Sequence, residues 1–197
     1  MHRQKRISSL LLLIILMGVS SISYSATDLT QQGVAFLMAQ RFDQAVKVLS
    51  KAIQGDPNNA KAAHYRGIAR YYQGKVDLAI ADYSRALEIA PDLTKAYTSR
   101  GVALFRKGEF QSAKKDLGRA FSIDPTDANA LNQMAWMLAV YPDKQYRNGK
   151  KALDLAHKAI NLKTTPNYFD TLAAAYAETG QFEDAARIQR KVIALLS

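Results

Sequence analysis

The chain has no cysteine among its 197 residues. That excludes disulfide scaffolds, thiolate zinc sites, iron–sulfur clusters and cysteine nucleophiles. Glycine and proline are sparse, 10 and 5 residues, too few to turn the many short strands of a β-sandwich or barrel. Histidine is scarcer still. Apart from His2 there are only His64 and His157, far apart in sequence and outside any H-E-x-x-H arrangement. No P-loop, G-x-S-x-G or dinucleotide fingerprint occurs. The residue types therefore point to no catalytic residues, no metal and no cofactor, and the chain is not expected to be an enzyme. Alanine, by contrast, is abundant at 31 residues, which favours helices packed closely together.

Acidic residues are also missing from the start, where none precedes Asp28. His2, Arg3, Lys5 and Arg6 lead into an apolar run from Leu10 to Val19, followed by small polar residues from Ser20 to Ala26. This order is that of a secretory signal peptide. Small residues at Ser23 and Ser25 place cleavage after Ser25, ahead of Ala26. Residues 1–25 are thus expected to be a signal peptide, with 26–197 exported to a bacterial periplasm. The alternative is an uncleaved inner-membrane anchor, since Ile7 to Thr27 carries no charge. The second half of that span is mostly serine, whereas a spanning helix needs about 20 predominantly apolar residues. The leader has no cysteine to carry a lipid.

The remainder of the chain is repetitive. Pro57, Pro91 and Pro125 lie 34 apart, and so do Gly33, Gly67 and Gly101. Ala45, Ala79 and Ala113 share the period, as do Ala52, Ala86 and Ala120, and also Gly74 and Gly108. The units run 26–59, 60–93 and 94–127, followed by two degenerate ones, 128–165 and 166–197. Each reads as two helices and two turns. In the second unit, Ala60 to Gln73 is helical, Gly74 supplies a left-handed stop, Asp77 to Ala90 resumes and Pro91 closes. Neither helix can bury its apolar face alone, so neighbouring pairs must stack. Arg66 with Asp82, and Arg100 with Asp116, sit 16 apart in successive units. An ion pair between the two helices of each unit is expected.

Gly101, Ala113, Leu117, Ala120 and Pro125, matched by Gly33, Ala45, Leu49, Ala52 and Pro57, resemble the tetratricopeptide repeat. The usual first-helix tryptophan is replaced by Leu29, Ala63 and Tyr97. The resemblance implies an all-α, right-handed α-solenoid of about five helix-turn-helix pairs, with a concave groove lined by the first helices. It implies a protein-interaction scaffold. By helical spacing the groove should present Lys61, His64, Ile68, Tyr71 and Tyr72 from the second unit. Lys95, Thr98, Val102 and Phe105 would follow from the third, and Asn132 and Trp136 from the fourth. Such an aromatic and aliphatic trough suits an extended or helical peptide. The terminal-carboxylate clamp of some family members is not supported, because only Lys95 fits its slots.

The last helix raises a second surface. Ile188, Val192, Ile193 and Leu196 form a stripe with no following unit, an expected site for a homodimer. Finally, the formal charge of +10 is unevenly placed. Three charges belong to the leader, and the rest concentrate in 94–165. Lys114, Lys115, Arg119, Lys144, Arg147, Lys150, Lys151 and Lys158 there fall on second helices or the inserted loop. That patch argues for an acidic partner or an anionic membrane rather than nucleic acid, for which no recognition motif is present.

Overall fold

The structure, a computed structural model, describes residues 25–196, with side chains placed to Ile193. The leader other than Ser25, and the Leu196 side chain, lie outside the described residues. Ten α-helices succeed one another: α1 Ala26–Met38, α2 Phe42–Gly55, α3 Ala60–Tyr72, α4 Val76–Ile89 and α5 Thr94–Lys107. They continue as α6 Phe110–Ile123, α7 Ala128–Val140, α8 Gly149–Leu162, α9 Pro166–Glu178 and α10 Phe182–Leu196. No strand occurs among the described residues, so the fold is all-α.

Local chemistry starts and stops these helices. Asn59, Asp127 and Asn148 cap α3, α7 and α8 by accepting first-turn N–H groups, and Pro166 opens α9. Within four of the pairs the turn repeats one hydrogen-bond pattern. The N–H of Arg41, Lys75, Glu109 and Gln181 donates to the carbonyl five residues back, at 2.8–2.9 Å. The residue before each donor has positive φ. Glycine fills that position at 74, 108 and 180, whereas Gln40 adopts φ 56°.

Packing within a pair depends on the 34-residue comb of small residues. Ala45, Ala79 and Ala113, with Ala152 in the fourth pair, have no exposed surface; the same holds for Ala52, Ala86, Ala120 and Ala159. A Cβ on Gly67 would come within 2.5 Å of the Tyr83 ring, which is itself buried. Only glycine lets α3 lie that close to α4.

The expected ion pairs are present, and they reach further than one unit. Arg66 grips both oxygens of Asp82 at 3.0 and 2.7 Å while also donating to Ser50 of the preceding pair. Arg100 repeats this with Asp116 and Ser84. Each arginine thus ties three successive helices together.

The inserted segment between α7 and α8 is fastened to its surroundings. Arg147 Nε donates to the Tyr141 carbonyl at 2.6 Å, and its Nη1 reaches Glu178 of α9 at 3.0 Å. Asn148 N donates to Leu138 O. Here α6 meets α7 over a smaller surface than α2 shares with α3 or α4 with α5. Phe110 and Tyr141 fill the seam, with ring centroids 4.7 Å apart.

The end of the array corrects one expectation. Val192 is 6% exposed, and Ile188 is half-buried against the α7–α9 core. Val192 occupies the slot of buried Ala86, on the inward side of the helix. Ile193 alone of the described stripe stays open, at 67%. It takes the slot of Leu87, which packs against Ala96 and Tyr97 of the following helix. A second copy docking on α10 would therefore meet Ile193, not Val192.

Candidate interaction groove

The first helices of successive pairs touch one another: α1 meets α3, α3 meets α5, α5 meets α7 and α7 meets α9. Consecutive second helices make at most marginal contact. An array that converges on one side and splays on the other is concave where it converges, so the first helices line the inner face.

On that face the outward stripe of α3 is Lys61, Tyr65, Ile68 and Tyr72, recurring in α5 as Lys95, Ser99, Val102 and Arg106. Asn129, Gln133, Trp136 and Val140 continue it on α7. Lys61, Tyr72, Lys95 and Trp136 are exposed as expected, and Ile68, Tyr71, Val102 and Phe105 are half-buried in the groove wall.

Three expected groove residues are nearly buried, although His64 and Thr98 still line the groove's cavities. His64, Thr98 and Asn132 are only 5%, 2% and 3% exposed. Together with buried Thr30 they form a polar row at the 34-residue period, one position before the outward Gln31, Tyr65, Ser99 and Gln133. One residue turns a helix by about 100°, enough to carry a side chain from groove to interior. Thr30 and Thr98 satisfy their hydroxyls on the carbonyl four residues back, Ala26 and Thr94. His64 has no such option and places Nε2 3.0 Å from Ser99 Oγ on α5. The Oδ1 of Asn132 finds no protein partner. Burial depresses the His64 pKa to about 4, with the Lys95 charge adding to the shift and a backbone hydrogen bond at Lys95 opposing it. A neutral imidazole is therefore built into the groove floor.

Four cavities run along the inner face. Two of about 460 and 500 Å³ share Lys61 and Tyr65. Two of about 320 and 240 Å³ share Tyr71, Val102 and Gln133. In the smallest, the Arg106 guanidinium lies 5.1 Å from the Tyr71 ring centroid, and Trp136 forms an opposing wall. At the mouth, Tyr72 stacks on Phe42 with ring planes 10° apart. No group of histidine, aspartate or glutamate with metal-binding geometry is found among the described residues. The groove offers shaped apolar recesses edged by cations and amides, suited to holding another chain.

Two family models match this region. Residues 67–108 fit the TPR repeat and residues 94–127 the tetratricopeptide repeat. Residues 67–127 thus match tetratricopeptide-repeat models, and arrays of such repeats are in general interaction scaffolds. None of the curated proteins matches the sequence. Among solved structures, TTC0263, a thermophilic TPR protein of Thermus thermophilus, superposes with a TM-score of 0.73 at 21% identity, covering 86% of this chain and 91% of that one. MamA from residue 41 onward, of Desulfovibrio magneticus RS-1, gives 0.65 at 21% identity, covering 86% and 94%. The first TPR domain of Spaghetti (RPAP3), bound to the HSP90 peptide SRMEEVD, gives 0.55 at 28% identity, covering 59% and 93%. The expected solenoid of helix pairs is the fold of these structures.

Proposed function

We propose that this chain is a non-enzymatic adaptor of the bacterial periplasm whose concave groove holds a peptide or helix of a partner protein. Envelope assembly, secretion and pilus biogenesis are the processes that such an exported adaptor would serve. One observation carries the groove assignment. The inner face exposes Tyr72, Trp136 and Arg106, the side-chain types that anchor protein partners, beside Lys61 and Lys95. The peptide bound by the RPAP3 domain is a precedent for a repeat array of this kind. Export is supported by the charged, apolar and small-residue regions of 1–25.

A photo-reactive amino acid placed at Gln133 in the groove, and in a second variant at Lys114 on the outer face, tests the docking side. Cross-linking of a partner in cells from position 133 and not from 114 is expected. The reverse pattern would move the binding surface to the outer face.

A tethered form is the second reading, and the start of α1 favours it. Ser25 Oγ accepts the Asp28 N–H at 3.1 Å while the Asp28 carboxylate reaches back to the Ser25 N–H. This capping box would be lost on cleavage after Ser25, at about 1 kcal/mol for the helix. A retained leader would keep the cap and hold the exposed Lys114, Lys115, Lys150 and Lys151 near an anionic membrane or an acidic partner. No helix among the described residues is long and apolar enough to cross a membrane. Mass spectrometry of the protein from cells separates the readings: an N-terminus at Ala26 is the expected result, and an intact Met1 would establish the tethered form.

A further inference from the structure

The groove floor has an unusual balance of charge. Helices α3, α5 and α7 contain no aspartate or glutamate. Four of their basic residues are answered from other segments: Arg66 and Arg70 by Asp82, Arg100 by Asp116, and Lys107 by Asp77 and Glu109. Lys61, Lys95 and Arg106 have no ion-pair partner among the described residues. Asp92, Asp124 and Asp127 also border the cavity beside Lys61 and Lys95, where Asp124 and Asp127 each turn one oxygen to neighbouring groups, at Thr126 for one and at the Asn129 and Ala130 N–H groups for the other. The groove thus carries carboxylates of its own beside Lys61 and Lys95, whereas the recess at Arg106 is lined by no acid.

The apolar part of the groove is equally particular. The cavity of about 240 Å³ between α3, α5 and α7 is walled by Tyr71, Phe105 and Trp136, with Met137 and Leu117 behind them. It falls below the ~300–1,000 Å³ of small-molecule sites and has room for one large side chain. Arg106 stands at its rim over the Tyr71 face.

We propose that this pocket seats one aromatic or branched aliphatic side chain of an acidic partner segment. A carboxylate beside that side chain pairs with Arg106, the one cation lining this recess. Charge complementarity selects the partner and the apolar anchor fixes its register. The segment is internal to its protein; nothing in the arrangement requires a free terminus. This inference rests on the groove being the docking face.

Trp136 is the only tryptophan in the chain, so its emission reports on this pocket alone. A library of random dodecapeptides, displayed within a carrier loop so that both ends are blocked, is selected against the full-length chain. Enrichment of one aromatic or leucine flanked by glutamate or aspartate is expected. The enriched sequence, made as a capped peptide, should shift Trp136 emission to the blue and bind more weakly as salt is raised. Arg106→Ala should weaken it about tenfold, and replacing its acids by lysine should abolish binding. A basic or uncharged consensus, an empty selection, or an acidic binder that leaves Trp136 emission unchanged would each overturn the proposal. Cross-linking from position 133 combined with any of those results would overturn the acidic anchor alone. Cross-linking only from position 114 would overturn the groove reading beneath it.

Discussion

Replacing Asp82 with alanine should destabilise the chain by about 3–5 kcal/mol, the cost of breaking a buried ion pair from one side. Asp82 is 3% exposed and accepts from three guanidinium nitrogens, two of Arg66 and one of Arg70 at 2.8 Å. Both arginines lie in the wall of the stacked helices, so losing the carboxylate leaves two poorly solvated cations facing each other. Asp116→Ala strips its carboxylate from one arginine only and should cost less. Urea unfolding of the two variants beside the parent checks both the size and the order. A loss below about 1 kcal/mol for Asp82→Ala would show that the pair behaves like an ordinary surface bridge. Removing all the partners at once is the informative control. With Asp82, Arg66 and Arg70 replaced together by leucine, methionine and methionine, part of the loss should return, because the penalty lies in the orphaned charge rather than in the missing attraction.

That ladder was legible in the sequence as a 16-residue spacing repeated at 34, and so were the helix pairs themselves. Both are periodic, and periodicity survives in one dimension. The fold followed from the same source: alanines at 45, 79 and 113 have a common role because each meets the same neighbour in its own unit. Ser50 and Ser84, the third members of the ladder, were missed. They belong to the preceding unit and carry no charge to draw attention.

The groove was legible in outline and displaced in detail. Tyr71, Val102, Phe105 and Trp136 were placed on the inner face by helical spacing, and they line its cavities. His64, Thr98 and Asn132 were placed there by the same spacing, which does not resolve a turn of one residue when a polar side chain can satisfy itself beneath the surface. Thr98 reaches back to Thr94 O, and His64 reaches across to Ser99; each can therefore be buried at little cost. The true outward positions, Tyr65, Ser99 and Gln133, sit one residue later. The buried threonines of the row, Thr30 and Thr98, were the available signal. Charge was legible only in part, for a related reason. Summing each unit points to the outer face of 94–165, but the sum hides which cations are already paired. Once Arg66, Arg70, Arg100 and Lys107 are matched to carboxylates, Lys61, Lys95 and Arg106 remain on the inner face, the first two beside Asp92, Asp124 and Asp127 and Arg106 beside no acid.

The buried row also makes the stability of the array depend on pH through one residue. Folded His64 titrates at about 4, whereas an unfolded histidine titrates near 6.5. Above the unfolded value the imidazole is neutral in both states and stability is at its full level. As pH falls from about 6.5 towards 4, the unfolded chain takes up a proton that the folded chain excludes, and stability is lost. Below about 4 both states are protonated and this contribution levels off. The gap corresponds to about 3 kcal/mol. Carboxylates add their own losses at the acid end, so the comparison has to be made with a variant. His64→Thr copies Thr98, whose hydroxyl bonds four residues back; at 64 the same bond would run to Ala60 O. It should leave stability at neutral pH within about 1 kcal/mol of the parent and remove most of the decline between pH 6.5 and 4.5. An identical decline in parent and variant, measured as urea midpoints across that range, would sink the assignment. Because His64 joins α3 to α5 through Ser99 directly beneath Lys95 and Tyr65, the same titration decides where acid opens the array. The groove floor should loosen before the α7–α9 core, and peptide binding should weaken at a higher pH than global unfolding sets in.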